Sequence, residues 1–498
     1  MKYAPRFLHV VVAAAAGILL ACVFPPLNFP WPLAIGAFIV WVQLLRRCEN
    51  LKQTILIGFG FGFGFFVTLL QWIKIVGTDA WIALTILCTF WWVVASVAAK
   101  LSMSTRWWPI AIPAIWTSAE LLRDRYPFGG FGWGQIGVIT PMTPFANGAA
   151  LVGQLGMTFA FVATATFILW IFSNSRSVQR KTTYLSGSVV LVSLFGFTPA
   201  VTDFFEPAVG NAQVTLGIVQ GGVDHYGLGV VGDPRTVLSH HADATVSNSS
   251  QLLNADLIVW PENAADVDPT LDMQSAEIIN DVQKTLPKPI LLGAIRNVSD
   301  STRANVSLLW ENEKWTQVYQ KRRLVPFGEF LPARSLISQF TDRVNLMPRD
   351  FEPGTTPGFV EINGVSMAVL ICFEAADDWQ ALAASEDSSV IIIQTNNATY
   401  QFSGESEQQL QSAQMRALET RRPVVVVSTS GLSAVTDPHG RVTDSISQTE
   451  IGALVRTFPE VAGTTPAVFM HHLIIAFVLM LSTVLTAAGI HNRRKVAS

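Results

Sequence analysis

The chain has 498 residues, half of them hydrophobic and only 14% charged, against roughly 25% charged in an average soluble protein. That deficit excludes an ordinary water-soluble globule, and a formal net charge of -3 leaves no basic excess for binding nucleic acid. The length accommodates a membrane bundle and a separate globular domain with its own core.

Apolar runs able to cross about 30 Å of hydrocarbon, needing roughly 20 residues each, are expected near Phe7 to Phe24, Phe29 to Leu45, Thr54 to Ile73, Ala80 to Ala99, Trp107 to Leu122, Gly148 to Phe172, Tyr184 to Val201 and Ala467 to Ile490. The second is short, and the fifth carries Pro109, Pro113 and Glu120. In the third, Gly58 with Gly62 and Gly60 with Gly64 place small residues four apart, a spacing for close helix packing rather than phosphate binding. Eight spans with an inside amino terminus put Lys2, Arg6, Arg46, Arg47, Lys52, Lys100, Arg106, Arg176, Arg180, Lys181, Arg493, Arg494 and Lys495 on the inner side, and only Lys74, Arg123 and Arg125 in outer short loops. Positive residues stay cytoplasmic, so both termini are expected inside and residues 202–466 outside. The expected domains are a seven-helix bundle over 1–201, an extracytoplasmic domain over 202–466, and a closing helix with a basic tail over 467–498. The Lys2 and Arg6 flank of the first span is like a signal peptide's, but the further spans argue for a retained anchor.

Between the last two spans, Ala212 to Gln220, Asp256 to Trp260, Pro289 to Ile295, Val306 to Trp310, Val365 to Ile371, Val390 to Thr395 and Pro423 to Ser428 read as buried strands. Helices fit between some of them, the clearest being Glu405 to Arg421. Its Leu410, Ala413 and Ala417 are expected on the core face, with Glu405, Gln408, Ser412 and Glu419 facing away. Apolar strands alternating with helices indicate an α/β domain. Cys22, Cys48 and Cys88 fall in or beside spans, which leaves Cys372 as the one cysteine of this domain, with no disulfide partner inside it. A leftover exported cysteine is either a reactive thiol or a small buried hydrophobe.

Two more residues bear on that choice. Glu262 ends the phrase Leu257-Ile258-Val259-Trp260-Pro261-Glu262, and Lys321 opens Lys321-Arg322-Arg323-Leu324-Val325-Pro326-Phe327-Gly328-Glu329-Phe330-Leu331-Pro332. A thiol attacks carbonyls as thiolate and needs a base, which a strand-end carboxylate supplies; an amine stabilises the oxyanion and favours the thiolate. Taken singly, Glu262 is equally a surface acid, and Lys321 a solvated member of a Lys-Arg-Arg cluster. Other candidates are weaker. His240-His241 and His471-His472 lack the spacing of a metal site. Asn248, Asn297, Asn305 and Asn397 open Asn-x-Ser/Thr sequons expected to stay idle.

The three stretches, in order and closing on Val369-Leu370-Ile371-Cys372-Phe373-Glu374, resemble the nitrilase superfamily. With the spans, the long Lys321 phrase, Pro127-Phe128-Gly129-Gly130-Phe131-Gly132-Trp133-Gly134, Thr395-Asn396-Asn397, Met415-Arg416-Ala417-Leu418-Glu419, Arg422-Pro423 and Ser430-Gly431, almost the whole chain is similar to its membrane branch, the apolipoprotein N-acyltransferases. The resemblance implies a four-layer α-β-β-α sandwich beside the bundle, in a bacterial cytoplasmic (inner) membrane. It implies Glu262 as general base, Lys321 as oxyanion stabiliser and Cys372 as nucleophile, with Glu329 and Glu374 as supporting acids. By it, Cys372 takes an acyl chain from a phospholipid donor and passes it, through a thioester, to the free α-amino group of a diacylglyceryl apolipoprotein acceptor. The partners expected are these two substrates and the lipid bilayer, with no nucleic acid, no metal and no cofactor, and the chain acts as a monomer.

Three segments depart from the family pattern. Phe373 replaces the usual tyrosine after the nucleophile, Val219-Gln220-Gly221-Gly222-Val223-Asp224-His225-Tyr226 replaces an Asn-Ile-Pro run, and Asn397-Ala398-Thr399-Tyr400 replaces Asp-Ala-Trp-Phe. They bear on substrate preference more than on the reaction. The rival functions are a membrane-tethered nitrilase-type amidase, with water as acceptor, and a non-catalytic lipoprotein-binding protein of the same fold, which has no use for all three of Glu262, Lys321 and Cys372.

Overall fold

A computed structural model describes residues 4–173, 205–227, 233–332, 334–337, 339 and 349–497. The span expected at Tyr184 to Val201 lies outside them. The chain divides into two compact units, Met1–Phe205 with Phe469–Ser498, and Glu206–Val468.

The first unit is helical: α1 (Ala4–Ala21), α2 (Pro32–Arg47), α3 (Leu51–Leu69), α4 (Thr78–Ser102), α5 (Trp108–Arg125) and α6 (Ala149–Ser173). Among the described residues, four helical stretches are long and apolar enough to cross a membrane: Leu51–Leu69, Thr78–Ser102, Ala146–Phe172 and Pro466–Lys495. The helix of Phe7–Ala21 is apolar but shorter, and α2 has 16 residues. In α3 the two glycine pairs serve different neighbours. A Cβ at Gly58 or Gly62 would collide with Ser96 or Trp92 of α4, and one at Gly60 or Gly64 with the Val10 or Ala14 carbonyl of α1.

The second unit holds two sheets. One has the order β13-β1-β2-β3-β4-β5, with β6 beside β4; the other runs β12-β11-β10-β9-β8-β7. The strands that frame the site are β1 (Ala208–Gln220), β2 (Leu257–Val259), β3 (Ile290–Asn297), β4 (Thr302–Glu311), β5 (Lys314–Gln320), β8 (Val365–Ile371), β9 (Val390–Thr395) and β10 (Val424–Ser428). The helices used below are α7 (Thr236–Ser247), α8 (Met273–Thr285), α9 (Asp378–Glu386), α10 (Glu405–Thr420) and α11 (Pro466–Ala497).

Side chains alternate across each strand, and the three apolar clusters follow that alternation. Leu257, Val259, Val369, Ile371 and Ile392 pack between the two sheets. Ile258 and Trp260 meet Leu238 and Ile279 of α7 and α8, while Ile391 and Ile393 meet Ala413 and Ala417 of α10. The layers are therefore helix, sheet, sheet, helix. Both faces of the central strands are covered, which explains their unbroken Val, Ile and Leu runs.

The expected strands all occur, whereas β5, β6 (Asp350–Phe351), β7 (Gly358–Ile362), β11 (Ser433–Thr436), β12 (Val442–Ile446) and β13 (Gly452–Ala462) escape a search for apolar runs. Four of the seven β5 residues are exposed, so its sequence carries Lys314, Thr316 and Gln317 where a covered strand has valines. One expectation is overturned: Glu405, Gln408, Ser412 and Glu419 do not face away but are buried. Polar partners, one of them on the helix itself, take the place of water. Asn397 donates to Glu405 (2.7 Å), Gln448 reaches Glu407, and Arg416 pairs with Glu419 at 3.1 Å.

Candidate active site

Glu262 lies just beyond β2, past Trp260 and Pro261, at the parallel edge where β2 meets β3. Its backbone is pressed close to β3. A Cβ on Gly293 would stand 2.4 Å from the Pro261 carbonyl and 2.6 Å from Glu262 Cα, so glycine alone permits the approach. Gln394 of β9 donates to the Trp260 carbonyl (2.6 Å), and Thr429 donates to that of Glu262 (3.0 Å). The carboxylate is 4% exposed and therefore needs partners. Oε1 accepts from Asn305 Nδ2 at 2.7 Å and from Lys321 Nζ at 3.3 Å, and Oε2 accepts from the Asn396 amide at 2.9 Å.

Lys321 follows β5 and is held by its own backbone. Its N–H donates to the Asn305 carbonyl, and its carbonyl accepts from Gly354. Its side chain is 1% exposed, which overturns the solvated-cluster alternative. Burial works against the ammonium, but Glu262 and then Glu329 outweigh it and hold the lysine well above its ordinary pKa. Glu329 Oε1 accepts from Nζ at 2.9 Å and from Asn305 Nδ2 at 3.1 Å, while Oε2 accepts from the Val325 amide. An ammonium has three donors; the two carboxylates use two. The rest of the cluster parts company with Lys321. Arg322 lies over the Trp379 ring, and Arg323 pairs with Asp377 at 2.5 Å.

Cys372 sits where β8 gives way to a short turn, with φ at 53°. That left-handed conformation costs a residue with a side chain about 1–2 kcal/mol and turns the sulfur out of the strand direction. The thiol is half-buried, close enough to Glu262 and Lys321 for both charges to act on it. Burial and Glu262 push its pKa up, and Lys321 pulls it down; the balance leaves it above a thiol's ordinary range. The resting site therefore holds a neutral thiol, a cationic lysine and two carboxylates bonded to that lysine.

Glu374 touches none of the three but ties their supports together. One carboxylate oxygen accepts from the Arg322 and Arg323 amides and the Tyr319 hydroxyl, the other from the Ile371 amide. Phe373 is buried beneath the Arg323 guanidinium.

Sequence reasoning missed Asn305 and Asn396. Asn305, read as an idle sequon, is 2% exposed and its amide bridges both carboxylates; Asn397, likewise a sequon, is 1% exposed. Neither is open to a glycan. The histidine pairs lie elsewhere. His241 is buried against the Val237 carbonyl, and His240 faces Asp224 at 3.5 Å.

The family description Carbon-nitrogen hydrolase matches residues 215–466, about half of the chain, the stretch that carries every one of these groups. The chain belongs to the carbon-nitrogen hydrolase family. Ahead of that domain, residues 16–167 match the Apolipoprotein N-acyltransferase N-terminal domain, so this is the branch in which the hydrolase-like domain is joined to a helical region. Among curated proteins the chain is similar to an apolipoprotein N-acyltransferase of Mycolicibacterium smegmatis, 28% identical and covering 88% of this chain and 77% of that one. It is similar to the Nitrosomonas europaea protein of the same name at 26% identity, over 98% and 99% of the two chains. Among solved structures, a mutant of an amidase of the nitrilase superfamily from Nesterenkonia AN1 is 16% identical with a TM-score of 0.39, covering 50% of this chain and 93% of that one.

Proposed function

We propose that this protein is an acyltransferase that moves an acyl chain from a phospholipid, through a thioester on Cys372, to the free α-amino group of a diacylglyceryl apolipoprotein. Curated relatives named apolipoprotein N-acyltransferase match it along nearly their whole length, which favours this reading over a hydrolase or a binding protein. The observation that carries the chemistry is the buried Lys321 ammonium clamped between two carboxylates beside a lone half-buried thiol.

Glu262 takes the thiol proton, and Glu329, bonded to Lys321 at 2.9 Å, keeps the lysine charged once it has done so. The thiolate attacks the ester carbonyl, and the third N–H of Lys321 meets the oxyanion. Collapse breaks the ester C–O bond; Glu262 returns its proton to the departing lysophospholipid oxygen, and the thioester remains. In the second half the neutral amine attacks the thioester carbonyl, Glu262 accepts a proton from the nitrogen, and the amide forms as the sulfur leaves. A covalent intermediate lets two bulky lipids use one site in turn.

The helical region fixes the setting as a membrane. In this reading residues 1–201 form the bundle, 202–466 lie outside the cytoplasmic membrane, 467–498 close the bundle, both termini are inside, and the chain works as a monomer. The positive-residue bias supports the orientation. A reporter cysteine at Asn211 is then labelled by an impermeant reagent in sealed cells, and one at Lys52 is not. The decisive test is intact-mass measurement of the protein mixed with phospholipid. An acyl adduct on Cys372 that disappears when a diacylglyceryl peptide amine is added supports the proposal. Loss of the adduct to water alone assigns a hydrolase, and no adduct sinks the reading.

A further inference from the structure

We propose that Gln409 is a further catalytic residue, whose side-chain amide donates to the Cys372 sulfur and holds the thiolate, with Thr395, Asn397 and Glu405 as the positioning residues that fix which end of that amide faces the sulfur. The role rests on the acyl-transfer reading; the contact itself does not.

Gln409 Nε2 lies 3.6 Å from Cys372 Sγ. A carboxamide presents a donor at one end and an acceptor at the other, so its orientation decides whether it favours the thiolate or repels it. Here both neighbours of the oxygen are donors. Gln409 Oε1 accepts from Thr395 Oγ1 at 2.9 Å and from Asn397 Nδ2 at 2.9 Å. Asn397 is fixed in turn. Its amide nitrogen also donates to Glu405 Oε2 at 2.7 Å, and its oxygen accepts from Ser428 Oγ at 2.9 Å. An ionised carboxylate only accepts, so above its pKa of about 7 Glu405 settles the direction of Asn397, and Asn397 settles that of Gln409. All four side chains are buried. Glu405 and Gln409 are four apart on α10 and therefore share a face.

The physical effect is specific. A hydrogen bond to an ionised acceptor is about twice as strong as one between neutral groups, so the Gln409 donor gains strength when the proton leaves the sulfur. It also offsets the burial and the Glu262 charge that hold the thiol up. The titratable groups that act on the sulfur are Glu262 beyond β2, Lys321 beyond β5, Glu405 on α10, and Tyr400 in the turn after β9. Glu405 itself is pushed up to about 7 by burial, with Glu407 and Glu262 adding to the rise.

The test reads the thiol without acyl transfer: iodoacetamide modification of Cys372 in the full-length protein, followed by peptide mass against pH. Gln409→Met keeps the side-chain length and deletes the donor. It is expected to slow alkylation about tenfold at every pH below the thiol's titration, moving the profile up by about one pH unit, with the melting temperature kept. Gln409→Glu is expected to slow it further, since a further carboxylate then faces the sulfur. Glu405→Gln frees Asn397 to turn over but also removes a carboxylate that raises the thiol, so it is expected to move the profile less than Gln409→Met. Wild-type alkylation rates in Gln409→Met overturn the proposal; if that variant does not fold, wild-type rates in Gln409→Glu overturn it. The two readings fail separately. A protein alkylated at Cys372 that takes no acyl chain from phospholipid loses the acyltransferase assignment and keeps the Gln409 contact. One that is acylated normally while Gln409→Met alkylates like wild type loses only the contact.

Discussion

Each unit buries a carboxylate, and the two are treated in opposite ways. Glu120 of α5, fully buried in the helical unit, is met by neutral dipoles: Trp116 Nε1 and the Ile136 amide on one oxygen, Thr158 Oγ1 on the other. Arg123, a turn away, directs its hydrogen bonds to the Phe131 and Trp133 carbonyls. Glu262 shares its first oxygen between an amide and an ammonium. A carboxylate held by fixed neutral donors completes a fold. One in contact with a cation, beside a thiol that same cation favours as thiolate, has somewhere to obtain a proton and somewhere to put it.

The largest effect should come from the sulfur. Cys372→Ala is expected to abolish both the acyl adduct and transfer to the acceptor, and Cys372→Ser to leave at most a trace, because an alkoxide is far harder to form than a thiolate. Turnover at the wild-type rate in either would dissolve the contrast between the two units. Next comes Glu262→Gln, which keeps shape and hydrogen-bonding reach but loses basicity. Adduct formation and aminolysis should each slow by roughly 100- to 10,000-fold, read by single-turnover mass kinetics; an effect on one step alone would mean that another base serves the other.

Lys321→Ala should cost about 3 to 4 kcal/mol in each step if the ammonium acts as an oxyanion donor. The same change has a pH signature. The cation lowers the Cys372 pKa, so removing it raises a thiol already above its ordinary range, and the alkylation profile must move to higher pH. A shift toward lower pH would show that the cation does not act on the sulfur. Arg322→Ala, which removes the stacking on Trp379, should leave most of the adduct signal. Arg323→Ala does not serve as a neutral control, since it removes the cation paired with the buried Asp377. The smallest effect is expected from Glu120→Gln. It should change thermal stability by about 1 kcal/mol and leave Cys372 alkylation unchanged, and a change in alkylation rate comparable with that of Glu262→Gln would erase the distinction drawn above.

How legible each feature was follows from the range of the interactions. The covered strands are visible because both their faces are apolar, and β9 and β8 occupy the residues their valines and isoleucines indicate. β5 is an edge strand half in solvent, and only its pairing with β4 defines it. In the site, Glu262, Lys321 and Cys372 stand out by their local phrases, but Asn305 lies 43 residues from the carboxylate it bonds and the Asn396 amide 134. A side chain whose meaning depends on a partner so far along the chain leaves no local periodicity. The polar face of α10 misleads for the same reason, because Glu405 and Glu419 are chosen by buried partners and read as if chosen by water.

Glu374 carries a mechanical consequence. Two sheets packed through apolar side chains can slide, since such contacts have no preferred direction. Lys321 follows a strand of one sheet and Cys372 ends a strand of the other, so their separation would drift with any such sliding. A single carboxylate, fully buried, accepts from the amides that flank both residues, and it works as a rivet through the sandwich. The reactive geometry is thereby insulated from gentle warming, and heat inactivation should coincide with unfolding of this unit rather than precede it.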